Sequence, residues 1–104
     1  AGAPWLEAVR GHLTERRDQL ARRLATDLPG VGFSLPEATY LAWLDLRSYG
    51  LGDNPAEVLL DKASVALSAG PDFGVHGLGH ARLNFATSAS ILDQLVDRLA
   101  AALA

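Results

Sequence analysis

The chain has 104 residues, enough for one domain with its own core, and 49% of them are hydrophobic against 20% charged, a balance that excludes a disordered chain. The formal net charge is −3, and the Arg-rich stretch from Arg10 to Arg23 is interleaved with Glu15 and Asp18, so no uncompensated basic stripe is offered to a nucleic acid. No apolar run reaches the ~20 residues of a bilayer span and no basic-then-apolar leader opens the chain, so membrane insertion and export are not expected; the absence of cysteine excludes disulfides and thiolate metal sites but says little about compartment, for which the cytoplasm is the default.

Apolar residues at Trp5, Leu6, Val9, Leu13, Leu20, Leu24 and Leu28 recur at the three-and-four spacing of a helix stripe, which predicts a long first helix from Trp5 to Leu28. Pro4 suits a first helical position, and Pro29-Gly30 stop the run, the glycine through its access to positive φ. Arg16, Arg17, Arg22 and Arg23 fall largely off the stripe and are expected to form a solvated or interface-facing side without chemistry. Because the stripe reaches the very start of the helix, Trp5, Leu6 and Val9 are expected to find little cover within this domain.

Val31 to Leu35 and Tyr40 to Leu46 are short and rich in branched and aromatic residues, and Pro36-Glu37-Ala38-Thr39 between them favours a non-helical connection, so two neighbouring strands are predicted. In the second, alternation sets Leu41, Trp43, Asp45 and Arg47 on one side and Tyr40, Ala42, Leu44 and Leu46 on the core side. Asn54-Pro55-Ala56-Glu57 reads as a helix start, with Asn54 as cap, Glu57 as capping-box carboxylate and the helix running to about Ser64. Val65 to Leu67 reads as a third strand, and the segment from Gly70 to Gly79, with glycines at 70, 74, 77 and 79, as a loop. Ala81 to Ala86 returns to strand character, with Leu83 and Phe85 on one face and Arg82 and Asn84 on the other. Ser88 or Ser90 then caps a last helix whose stripe is Ile91, Leu92, Leu95, Val96, Leu99 and Leu103. The order α-β-β-α-β-β-α predicts an α+β fold, a small, mostly antiparallel sheet with helices packed on one face.

Few residues in this framework point to chemistry by themselves. The glycine-rich loop lacks both the GK[ST] ending of a phosphate loop and the GxGxxG spacing of a dinucleotide turn. His76 and His80 are separated by Gly77 and Gly79 and have only Asp72 nearby, so no metal is expected, and His12, on the first helix beside Leu13, reads as a boundary residue of its apolar stripe. Ser68, Ser88 and Ser90 lack a nucleophile elbow, and Asp45 with Arg47 reads as a surface or interdomain ion pair. Arg82 carries a planar donor fork suited to a carboxylate, but spacing alone leaves a plain surface arginine as the default.

Three ordered blocks are more specific: Pro36 to Arg47 (PEATYLAWLDLR), Val65 to Gly74 (VALSAGPDFG) and Ala81 to Thr87 (ARLNFAT). Together, and over nearly the whole chain, they resemble the C-terminal small domain of class I/II, fold-type I, pyridoxal-phosphate (PLP) dependent aminotransferases, nearest to the cystathionine β-lyase or MalY/PatB-type C–S lyases. That resemblance implies the small domain of the aspartate-aminotransferase fold, closing over an amino-acid substrate whose PLP cofactor sits on a lysine of a large domain absent from this chain. It implies that Arg82 binds the substrate α-carboxylate and that Asn84 supports it, while His80 stands where the family commonly has Phe. It also implies a homodimeric parent releasing pyruvate, ammonia and a thiol, with transamination as the alternative outcome. The lone lysine, Lys62, matches no cofactor-lysine motif, so the chain alone is expected to bind no PLP and to be inert, with no catalytic residue of its own. From a different class, a freestanding amino-acid-binding or dimerisation module remains open.

Overall fold

A computed structural model of the chain describes residues 4–36 and 39–103; Glu37 and Ala38, in the predicted non-helical connection, lie outside them. The elements follow the predicted order: α1 (Pro4–Asp27), β1 (Gly32–Ser34), β2 (Leu41–Asp45), α2 (Pro55–Ala63), β3 (Ser68–Ala69), β4 (His80–Asn84) and α3 (Ala89–Leu103). The sheet is antiparallel at each pairing, with strand order β1-β2-β4-β3. Its two central strands alternate as expected: Ala42, Leu44, Ala81 and Leu83 are buried, and they share one core with Leu20 and Leu24 of α1, Leu59 of α2, and Leu92, Val96 and Leu99 of α3. Each fully buried Leu or Val among them contributes about 1.5–3 kcal/mol relative to exposure. All three helices therefore cover one face, and the opposite face carries Leu41, Trp43, Asp45, His80, Arg82 and Asn84.

α1 is covered only along its second half. Leu20, Leu24 and Leu28 are buried, whereas Trp5 is 68% exposed and Val9 43%. The arginines behind the stripe are not a simple solvated side. Arg23 donates to Asp27 on its own helix and to Asp93 (2.9 Å) and Asp97 (2.6 Å) of α3, clamping the two helices. Asp97 above all, with Asp27 next, raises the Arg23 pKa above its ordinary range. Buried Gln19 donates to Asp93 and to the Ala89 carbonyl at the start of α3, and Arg17 donates to the Leu35 carbonyl.

Several local expectations are corrected. Gly30 does not adopt a left-handed conformation; its amide donates to the Tyr49 hydroxyl at 3.2 Å. Asn54 makes no side-chain cap bond and its Oδ1 is buried without a partner among the described residues, so Pro55 marks the start of α2. β3 begins only at Ser68: α2 ends in a left-handed Ser64, Val65 folds back to donate to Leu59, and the chain reaches the edge of β4 three residues later than alternation suggests. Ser88, not Ser90, caps α3, accepting the Ile91 amide at 3.3 Å, and Ile91 itself is 49% exposed.

Candidate functional site

Register sets the rows of the helix-free face. Opposed Cα partners align Ser34, Trp43, Arg82 and Ser68 across the sheet, flanked by Asp45 opposite His80 on one side and Leu41 opposite Asn84 on the other. Arg82 thus lies at the middle of the face. Among the described residues no acceptor binds its guanidinium, which is held instead over the Phe73 ring, Cζ lying 4.8 Å from the centroid. Asn84, on the same face, is occupied locally: its Oδ1 accepts the Ala86 amide at 2.9 Å, turning the chain out of the strand and leaving its amide nitrogen unbonded among the described residues. The structure thus brings Arg82 and Asn84 to one face but does not link them.

The surroundings of Arg82 are aromatic. Phe73 meets Trp43 edge to face (5.7 Å, 88°), and Trp43 stacks on His80 (5.3 Å, 14°). His80 pairs its Nδ1 with the Leu78 carbonyl at 2.8 Å, which makes Nδ1–H the donor and leaves Nε2 toward Asp45 at 3.8 Å. A histidine in place of the expected aromatic thus keeps the flat partner that Trp43 needs. The sequence offered a signal for Trp43, whose alternation put it opposite the core; nothing local placed Phe73 near Arg82.

The 70–79 segment that delivers Phe73 is two 3-10 turns, Gly70–Phe73 and Val75–Gly77, seated on each other. A Cβ on Gly70 would run into the backbone carbonyls of Gly77 and His80, and one on Gly77 into the carbonyl of Gly70. The glycines are there for backbone contact, not for cradling a phosphate. Gly79, at φ +76°, returns the chain to the sheet beside Arg47.

Asp45 and Arg47 form a bidentate pair at the rim (2.9 and 2.7 Å), as expected of a surface ion pair. The Arg47 guanidinium and amide hold the Asp45 carboxyl down at about 2 from an ordinary 3.8. A depressed carboxyl contributes stability that is fully present above its unfolded value of 3.8 and is lost as pH falls toward 2. The side-chain carboxyl resonance of Asp45 is expected to titrate near pH 2 and to move up toward the ordinary range in Arg47→Gln; equal titration in both proteins would contradict the assigned cause. Among the described residues, His76 and His80 join no group able to hold a metal, and no helix is long and apolar enough to cross a membrane. His12, exposed on α1, pairs Nδ1 with the Tyr40 hydroxyl at 2.9 Å.

Residues 1–99 match the family model described as aminotransferase class I and II. Cystathionine beta-lyase PatB of Bacillus subtilis is 36% identical, aligned over 98% of this chain and 27% of its own length. Arginine–pyruvate transaminase AruH of Pseudomonas aeruginosa is 36% identical over 96% of this chain and 25% of its own. Among solved structures, the PLP-bound C–S lyase of Staphylococcus hominis superposes with a TM-score of 0.87 at 32% identity, covering 95% of this chain and 27% of that one. The chain spans less than a third of the length of the curated relatives it matches.

Proposed function

The chain belongs to the class I and II aminotransferase family, and from this we propose that it is the substrate-binding small domain of a PLP enzyme acting on amino acids, a cystathionine β-lyase-like C–S lyase yielding pyruvate, ammonia and a thiol. The observation that carries this reading is Arg82: a guanidinium at the centre of a helix-free sheet face, with no acceptor among the described residues and an aromatic ring against it. Its fork takes the α-carboxylate of the substrate through two parallel N–H···O bonds and so fixes the orientation of Cα, a contribution of positioning and electrostatics rather than proton transfer. Asn84 supports it by fixing the end of β4 through the Ala86 amide.

The residues of this chain do not fit the part of holding PLP. Its one lysine, Lys62, is exposed on α2, in the helix layer across the sheet from Arg82, so no step of the chemistry is assigned to the chain itself. In this proposal the whole chain is one domain, and PLP belongs to a large domain outside it, in a homodimeric, cytoplasmic parent. The similarity to AruH favours one second reading, amino-group transfer on the same carboxylate grip.

Three measurements test the proposal. The full-length enzyme given cystathionine is expected to release pyruvate and ammonia; amino transfer to a 2-oxo acid without pyruvate would replace the lyase by the transaminase. The isolated chain mixed with PLP is expected to give no one-to-one, borohydride-trappable adduct and no pyruvate. A stoichiometric adduct on Lys62 that supports turnover would overturn the placement of the chemistry elsewhere, and tight amino-acid binding by the isolated chain would favour a freestanding module.

A further inference from the structure

We propose that Phe73 is a positioning residue that orients Arg82 for its carboxylate, with Trp43 and His80 as its brace. This rests on the assignment of Arg82 above. Phe73 is 52% exposed and adds little to the core, yet a tightly determined loop delivers it: the backbone contact between Gly70 and Gly77 leaves no room for side chains, and the turn it closes ends at Phe73. Its ring lies against the Arg82 guanidinium on one side and edge-on to Trp43 on another; Trp43 in turn lies flat on His80, which the Leu78 carbonyl anchors. The chain of contacts runs from a backbone hydrogen bond to the guanidinium without a gap.

An arginine has much rotamer freedom to lose when it grips a ligand, and holding the side chain beforehand removes part of that loss. The usual device is an acidic partner, but a carboxylate on the protein would occupy the same N–H donors the substrate needs. An aromatic face attracts the cation through its quadrupole and offers no lone pair, so the donor fork stays open. Asp45, on the same sheet face, is already bound bidentately by Arg47, which keeps it from competing for Arg82. The arrangement therefore combines an orienting contact with an unfilled fork.

The test uses the full-length enzyme and a two-by-two set of variants. Phe73→Leu removes the ring but keeps apolar bulk, and it is expected to raise KM for an amino-acid substrate about fivefold with kcat within about twofold, the pattern of lost uniform binding. Phe73→Tyr keeps the ring and is expected to stay near wild type in both constants. In an Arg82→Ala background, Phe73→Leu is expected to cost nothing further, because its effect passes through the guanidinium. An equal loss in both backgrounds, a wild-type KM in Phe73→Leu, or a Phe73→Tyr as impaired as the leucine variant would overturn the proposal. If Arg82→Ala alone leaves kcat/KM unchanged, the carboxylate assignment fails, and the positioning role falls with it.

Discussion

Arg82→Ala in the full-length enzyme is expected to lower kcat/KM for amino-acid substrates by about 2–4 kcal/mol, roughly 30- to 1,000-fold, while cofactor loading stays intact. The magnitude follows from what the side chain offers. Its fork has no acceptor among the described residues, so truncation breaks no ion pair within the domain and should leave the fold almost unchanged. What is lost is a charge-assisted contact to the substrate and the orientation it imposes, and both belong to the route from free enzyme to transition state. Cofactor binding is a control with a direction: Lys62 is across the sheet and the chain offers no other lysine, so nothing about Arg82 should bear on loading. Arg82→Lys should recover little, since an ammonium reproduces the charge but not the two parallel donors. Near-wild-type kcat/KM in both variants would remove Arg82 from the site.

How much of this was legible beforehand depended on how local the cause was. Alternation in β2 and β4 separated the core side, Ala42, Leu44, Ala81 and Leu83, from the side with Trp43 and Arg82, because a strand's two faces repeat every second residue and only one met helices. The three long or moderate helices were legible for the same kind of reason, with Pro4 and Pro55 starting two of them. Where local signals competed with tertiary contacts, they lost. Asn54 has the side chain of a good cap but no cap bond, and Val65 has the branching of a strand residue but is pulled back to α2.

Contacts between distant segments were beyond local pattern. Arg23 looked like one more solvated arginine, yet it meets Asp93 and Asp97 some seventy positions on, because α1 and α3 lie side by side on the sheet. The aromatic group around Arg82 joins β2, β4 and the 70–79 turns, and only the register Trp43 opposite Arg82 makes them neighbours. The role proposed for Arg82 rests on resemblance; its placement on the sheet came from alternation.

The largest effect on stability is expected just past the end of β4, on the core side: Phe85→Ala should cost about 3–5 kcal/mol. Phe85 follows β4 directly, is fully buried, and is the largest side chain among those with no exposure. It closes the core between sheet and helices, meets Tyr40 edge on (5.6 Å, 60°), and its amide donates to the Tyr40 carbonyl at 2.8 Å, which ties the end of β4 to the start of β2. Truncation removes the transferred apolar area and leaves a cavity that the backbone bond to Tyr40 and the close-packed surroundings keep from collapsing fully. A domain of this length holds about 5–15 kcal/mol in all, so the variant would lose a large part of its margin. Phe85→Leu, which keeps most of the volume, should cost less than about 1.5 kcal/mol. Denaturant unfolding of the isolated chain gives both numbers, with the midpoint moving and the slope unchanged if only the core is affected. A loss under about 1.5 kcal/mol in Phe85→Ala would mean that the sheet does not depend on this anchor. The strand that carries Arg82 would then owe its position to the helices and to its pairing with β2 and β3.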